Sequence, residues 1–166
     1  MPTRAISFLF GLLLFSIPTR AMEPDTLRIT AIVGKDGFSQ VECWSLLPGY
    51  AVSSQSGTVG SKQLQLGLLA NGSYTTFPLP GPYNAGLHNA PNFQYVIVLA
   101  GNATVTFPGR PTETLNIKAG DMLIAADVPG TSSLGHETVW QGGSVAVQVP
   151  FKSGFIPDHH SSPGSC

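Results

Sequence analysis

Glycine and proline break this chain so often that no stretch between them sustains ten residues of helical periodicity: 19 glycines and 14 prolines are spread over 166 residues. Both residues are poor in helix interiors, glycine for its backbone entropy and proline for its missing N–H and its ring. What lies between them is short, β-branched and aromatic, and often alternates apolar with polar residues. That pattern predicts strands at 27–33, 40–46, 63–69, 73–77, 93–99, 103–107, 114–117, 122–126, 136–140 and 144–149. Short strands with turn residues between them predict an all-β fold of the sandwich or barrel type.

The connections divide the chain further. Lys35, Asp36 and Gly37 supply a turn, as do Ala100, Gly101 and Asn102. Residues 48–62 form a 15-residue stretch rich in Gly, Ser, Val and Gln, uncharged before Lys62, long enough to be a lid or rim loop. Residues 78–86 carry Pro78, Pro80 and Pro82 and are expected to be irregular. The 152–166 segment, with Pro157, His159, His160 and Pro163, reads as a flexible, loosely attached tail, so one domain is expected over 22–151.

The amino-terminal segment reads as a secretory signal over residues 1–21. Arg4 precedes an uncharged run over 5–17, and small residues stand at Thr19 and Ala21. A run of 13 residues is too short for a stable membrane anchor, which needs about 20. Without residues 1–21, which hold Arg4 and Arg20 and no acid, six Lys and Arg face nine Asp and Glu, a net charge of −3 that argues against nucleic acid as a partner. Secretion agrees with two glycosylation sequons, at Asn71 and Asn102. In an oxidising compartment Cys43 and Cys166 can pair and tie the tail to an early strand; equally, Cys43 can be a small buried core residue.

Few residues are left to carry chemistry. In the strand over 93–99, alternation puts Gln94, Val96 and Val98 on one face, shared by parity with His88, and Tyr95, Ile97 and Leu99 on the other. His136 begins another strand, with Glu137 facing the opposite way and Trp140 further along. His88, Gln94 and His136 are the candidate metal-binding or ligand-binding residues: two imidazoles are good ligands for a first-row metal, and a glutamine oxygen is a weak one. Asp127, at the end of an apolar strand, is a candidate to hold an imidazole proton, or simply caps the loop that follows. His159 and His160 lie in the expected tail, where ordering entropy and the lack of a third ligand speak against a metal site. The chain has no Gly-x-Ser-x-Gly elbow, no phosphate loop and no Cys-x-x-Cys.

Around these residues the sequence resembles the cupin superfamily. The spacing His88, one residue, Ala90, three residues, Gln94, six residues, Gly101 keeps the frame of the first cupin motif, with alanine in place of its second histidine and glutamine in place of its glutamate. Gly120 and Asp121 open a looser second motif, in which Ala126 takes the place of a proline, the loop over 127–135 is expanded, and His136 and Trp140 hold the positions of histidine and asparagine. The wording around Gly86 to Pro91, Gln94 to Val96, Ile124 to Asp127 and Gly135 to Thr138 is similar to small secreted cupin-domain proteins of filamentous fungi. The resemblance implies a single-domain antiparallel β-barrel of jelly-roll type with a pocket at its mouth. It also implies one divalent first-row transition metal, carried over here only to His88 and His136, and assembly as a homodimer.

The expected function is a secreted protein that binds a small apolar or aromatic molecule in the barrel, with His88, Gln94 and His136 at the mouth, with or without a degenerate metal site. The alternative is a metal-dependent or cofactor-free enzyme, an oxygenase, isomerase or lyase, acting on a small metabolite. The fold does not choose between them.

Overall fold

The computed structural model describes residues 25–153 and 155–166; the expected secretory signal over 1–21 lies outside them. Among the described residues all regular structure is β. The strands are β1 (Arg28–Lys35), β2 (Phe38–Leu46), β3 (Ala51–Val52), β4 (Lys62–Gln63), β5 (Ser73–Thr76), β6 (Tyr83–His88) and β7 (Gln94–Ala100). They continue with β8 (Asn102–Thr106), β9 (Thr114–Lys118), β10 (Met122–Ala126), β11 (His136–Trp140), β12 (Val145–Pro150) and β13 (His159–Pro163).

Seven strands in the order β13-β2-β1-β10-β7-β12-β5 form one sheet, and four in the order β6-β11-β8-β9 form a second. The two are not joined by a common ladder, so the described residues make a β-sandwich and not the closed barrel expected. Nor is the pairing wholly antiparallel: β1 runs parallel to β10, with Thr30 opposite Leu123 and Val33 opposite Ala126.

Alternation along the large sheet generates two cores. Toward the small sheet point Ile32, Val41, Val96, Val98, Leu123, Ala125 and Ala146, which meet Ala103, Val105, Ile117 and Trp140. On the other face Ile29, Ala31, Val33, Trp44, Leu46, Tyr95, Ile124 and Phe151 form a second buried cluster. Leu64, Leu66 and Phe155 cover it, from segments without regular structure. Only the start of the strand expected over 63–69 forms, and its apolar residues cap this face instead.

Two further expectations change. The segment expected to be irregular contains β6, an edge strand. Its ladder with β11 slips between Glu137 and Val139, and Gly86 there has φ 70° while its N–H is held by Asn84 Oδ1 at 2.6 Å. An edge strand absorbs such a bulge, and glycine supplies the left-handed backbone. The tail, expected to be loose, supplies β13 on the edge of β2, with His159 opposite Leu46 and Pro163 opposite Glu42. Two side-chain contacts anchor it: the His159 ring stacks on Trp44 with centroids 3.6 Å apart, and Cys166 forms with Cys43 the disulfide that was one of the two readings of these cysteines.

Candidate functional site

The two histidines of the sequence motifs sit directly opposite each other across the β6–β11 ladder. Their ring centroids are 4.6 Å apart at an interplanar angle of 57°. Gly135 makes this possible: with φ 70° it packs so closely on the β6 backbone that a Cβ would overlap the His88 carbonyl. Gln94 reaches the same space from β7 in the large sheet, where it pairs with Ala125 and Pro150.

Together they line a cavity of about 90 Å³. Its walls are otherwise mostly apolar, with Ile32, Val96, Val105, Leu123 and Trp140 among them. Trp140 is held by a face-to-face stack on Phe77 at 4.2 Å. Thr138, two residues beyond His136 and so on the same face, also lines the cavity. The parity used for His88 and Gln94 would have found Thr138 from His136.

Both imidazoles have one nitrogen engaged. His88 Nδ1 is 2.8 Å from the Gly86 carbonyl oxygen, an acceptor only, so Nδ1 donates. His136 Nδ1 donates to Asp127 Oδ2 at 2.7 Å. In the neutral ring each Nε2 is therefore an acceptor, and neither has a hydrogen-bond partner among the described residues. The Gln94 carboxamide, on a residue only 7% exposed, has no partner among them either.

Asp127 is fully buried behind His136. The same Oδ2 accepts from Ser39 Oγ at 2.6 Å, Ser39 and Ser132 share a hydrogen bond at 2.8 Å, and Asn89 Nδ2 donates to the Asp127 carbonyl at 2.9 Å and to Ser132 Oγ at 2.9 Å. Asp127 Oδ1 has no partner. Sequence reading brought out Asp127 as a possible holder of an imidazole proton; it missed Ser39, Ser132 and Asn89, which come from three separate segments and meet only once the 127–135 loop folds back.

The metal that the cupin resemblance implies finds a poor donor set here. Two imidazoles and a neutral carboxamide bring no negative charge to a divalent ion, Ala90 offers only a methyl group, and the Asp127 carboxylate is committed to His136 and Ser39. Among the described residues no three His, Cys, Asp or Glu side chains gather in a way that holds a metal. Two imidazoles and one carboxamide are thus fewer and weaker donors than the site the resemblance implies.

The other residues marked by the sequence lie away from the cavity. Glu137 faces the opposite way and accepts from Asn84 Nδ2 at 2.8 Å. The 48–62 stretch, expected as a lid or rim, forms its own β3–β4 hairpin, pinned by the Lys62–Asp25 ion pair, and none of its residues lines the cavity. That ion pair raises the pKa of the Lys62 ammonium. His159 and His160 stand on the edge strand β13. Asn71 is exposed between elements, whereas Asn102 opens β8, exposed, with its Nδ2 donating to Gln141 Oε1 at 2.7 Å.

No protein-family model and no curated protein matches the chain. Among solved structures it is similar to a candidate mannose-6-phosphate isomerase from Ralstonia eutropha JMP134, at 18% identity over 84% of this chain and 93% of that one, with a TM-score of 0.25. An overlap that small carries no argument about this chain.

Proposed function

We propose that this chain is a secreted, cupin-like binding protein, its sandwich working as a small barrel that takes one small molecule into the cavity between His88, Gln94 and His136. The observation that carries the reading is the state of these groups: two imidazoles with Nδ1 fixed and Nε2 unpartnered, beside a buried, unpartnered carboxamide, in an apolar enclosure. These atoms still meet the cavity's solvent, since Asp127 Oδ1 is the one fully buried side-chain polar atom without a partner among the described residues, and their convergence on one small, largely apolar space supports a ligand that replaces that water. Size narrows what can lie fully inside: about 90 Å³ suits a molecule of a few heavy atoms, or one end of a larger apolar or aromatic molecule entering from the mouth. The amino-terminal sequence, the Cys43–Cys166 disulfide and the exposed Asn71 sequon support a secreted, glycosylated protein.

The test is a fragment screen by saturation-transfer NMR on the mature protein beside His88→Ala. Binders whose signal disappears in the folded variant are expected. Binders that ignore the substitution, or none at all, would refute the reading.

A second reading, a cofactor-free isomerase or lyase, is favoured by the Asp127–His136 hydrogen bond, which orients Nε2 as a general base would be oriented. Chemical conversion of a bound fragment, lost in Asp127→Asn, would support it; unchanged fragments would leave binding alone.

A further inference from the structure

Resting on that binding reading, we infer that the cavity selects a small neutral polyol, a vicinal diol of two or three carbons or the diol end of a longer molecule, over an anion, a cation or a metal ion. Both Nδ1 atoms are spent as donors, to Gly86 O and Asp127 Oδ2, so the two imidazoles present accepting lone pairs at Nε2. A ligand must bring hydrogen-bond donors to both. The rings face each other across one strand pair with centroids 4.6 Å apart, close enough for hydroxyls on neighbouring carbons to serve both.

The alternatives fail on charge. No Lys or Arg lines the cavity, so a carboxylate or phosphate would meet two lone pairs and only neutral donors, those of Gln94, Thr138, Trp140 and Gln148. No Asp or Glu lines it either, and Asp127 is fully buried behind His136, so an ammonium group would be desolvated without a direct counter-charge. A divalent ion meets the same deficit. A neutral diol meets none of them: its hydroxyls donate to the imidazoles, its oxygens accept from Gln94 Nε2, and its carbons lie against the Ile32, Val96 and Trp140 walls. The volume, about three times the roughly 30 Å³ of a liquid water, matches a molecule of that size.

The experiment uses the mature protein labelled with ¹⁵N-histidine, and four probes: propane-1,2-diol, acetate, methylammonium and zinc. Free protein is expected to show both histidines protonated at Nδ1, and either one protonated at Nε2 alone would overturn the inference. Propane-1,2-diol is expected to move both Nε2 signals with a dissociation constant on the order of 1 mM, as its few heavy atoms allow. Gln94→Leu, checked for an unchanged unfolding curve, is expected to weaken this at least tenfold. If acetate, methylammonium or zinc moves the histidines and the diol does not, the polyol inference falls and the binding reading stands. If no probe moves them, both fall.

Discussion

The two faces of the seven-stranded sheet are built from alternate residues of the same strands, yet they are finished differently. On the outer face of β7 Tyr95 is buried, its ring meets Phe151 edge-on at 4.7 Å, and its hydroxyl donates to the Leu66 carbonyl at 3.2 Å. On the inner face its neighbour Gln94 is nearly as buried and its amide has no partner among the described residues. One face is packed and satisfied, as a core built for stability is. The other keeps a cavity and unspent hydrogen-bonding groups, which cost stability and make sense where something else completes them. The difference separates residues that hold the fold from residues that the fold holds for use.

That separation is open to attack by substitution. The largest effect is expected from Phe151→Ala, which removes the ring between Tyr95 and Phe155 and should lower the unfolding free energy by about 3–5 kcal/mol in urea titration. The propane-1,2-diol response of the folded fraction should survive. Reducing the Cys43–Cys166 disulfide, which spans 123 residues, should cost about 2–4 kcal/mol and again spare the cavity; lost ligand response in the folded, reduced protein would show that the tail shapes the site.

Tyr95→Phe should cost about 1 kcal/mol at neutral pH through the lost hydrogen bond to Leu66. Its sharper signature lies in alkali. Burial pushes the Tyr95 phenol up to about 12, against roughly 10 in the unfolded chain. The stabilisation this represents is complete below pH 10 and is lost as pH rises through the folded value. The wild type should therefore lose stability between about pH 10 and 12 more steeply than Tyr95→Phe; parallel curves would place the phenol in water.

The inner face should answer differently. Thr138→Val, which deletes a cavity hydroxyl with no partner among the described residues, should change stability by no more than about 0.5 kcal/mol while weakening the ligand response.

Much of this contrast was legible in the sequence, and the rest was not for identifiable reasons. Period-two alternation assigned Gln94 and Tyr95 to opposite faces, and the turn residues at 35–37 marked the β1–β2 hairpin; those at 100–102 instead carry the chain from β7 in the large sheet to β8 in the small one, so the hairpin expected there does not form. Alternation says which way a side chain points but not what covers it, so the burial of Tyr95 under Leu64, Leu66 and Phe155 was hidden in segments that form almost no ladder. β6 was hidden by its prolines and Gly86, which an edge strand tolerates. The disulfide that ties the tail to β2 was one of two readings the cysteines left open, whereas β13 itself was hidden because its ladder and the Trp44–His159 stack are long-range contacts. At the site, His88, Gln94 and His136 were visible as residue types, but the parity expected to join His88 to Gln94 does not do so, because His88 ends β6 in the small sheet and Gln94 opens β7 in the large one, and they meet across the sandwich. Asp127 was visible as a candidate to hold an imidazole proton, but its pairing with His136 and the Ser39 that completes the chain were not, because they meet only through the folded 127–135 loop and the parallel β1–β10 pairing, which has no local signature.

The most direct measurement of the central claim is the unfolding free energy of Gln94→Leu beside Tyr95→Phe, each with and without propane-1,2-diol. If the inner face is kept for a ligand, Gln94→Leu will be as stable as the wild type or more stable by up to about 1 kcal/mol, because the amide it removes has no partner among the described residues and leucine buries more apolar surface, and it will lose the stabilisation by the diol. Tyr95→Phe will be weaker and keep that stabilisation. A loss of about 2 kcal/mol or more in Gln94→Leu, with the diol effect intact, would make Gln94 a structural residue and contradict the account.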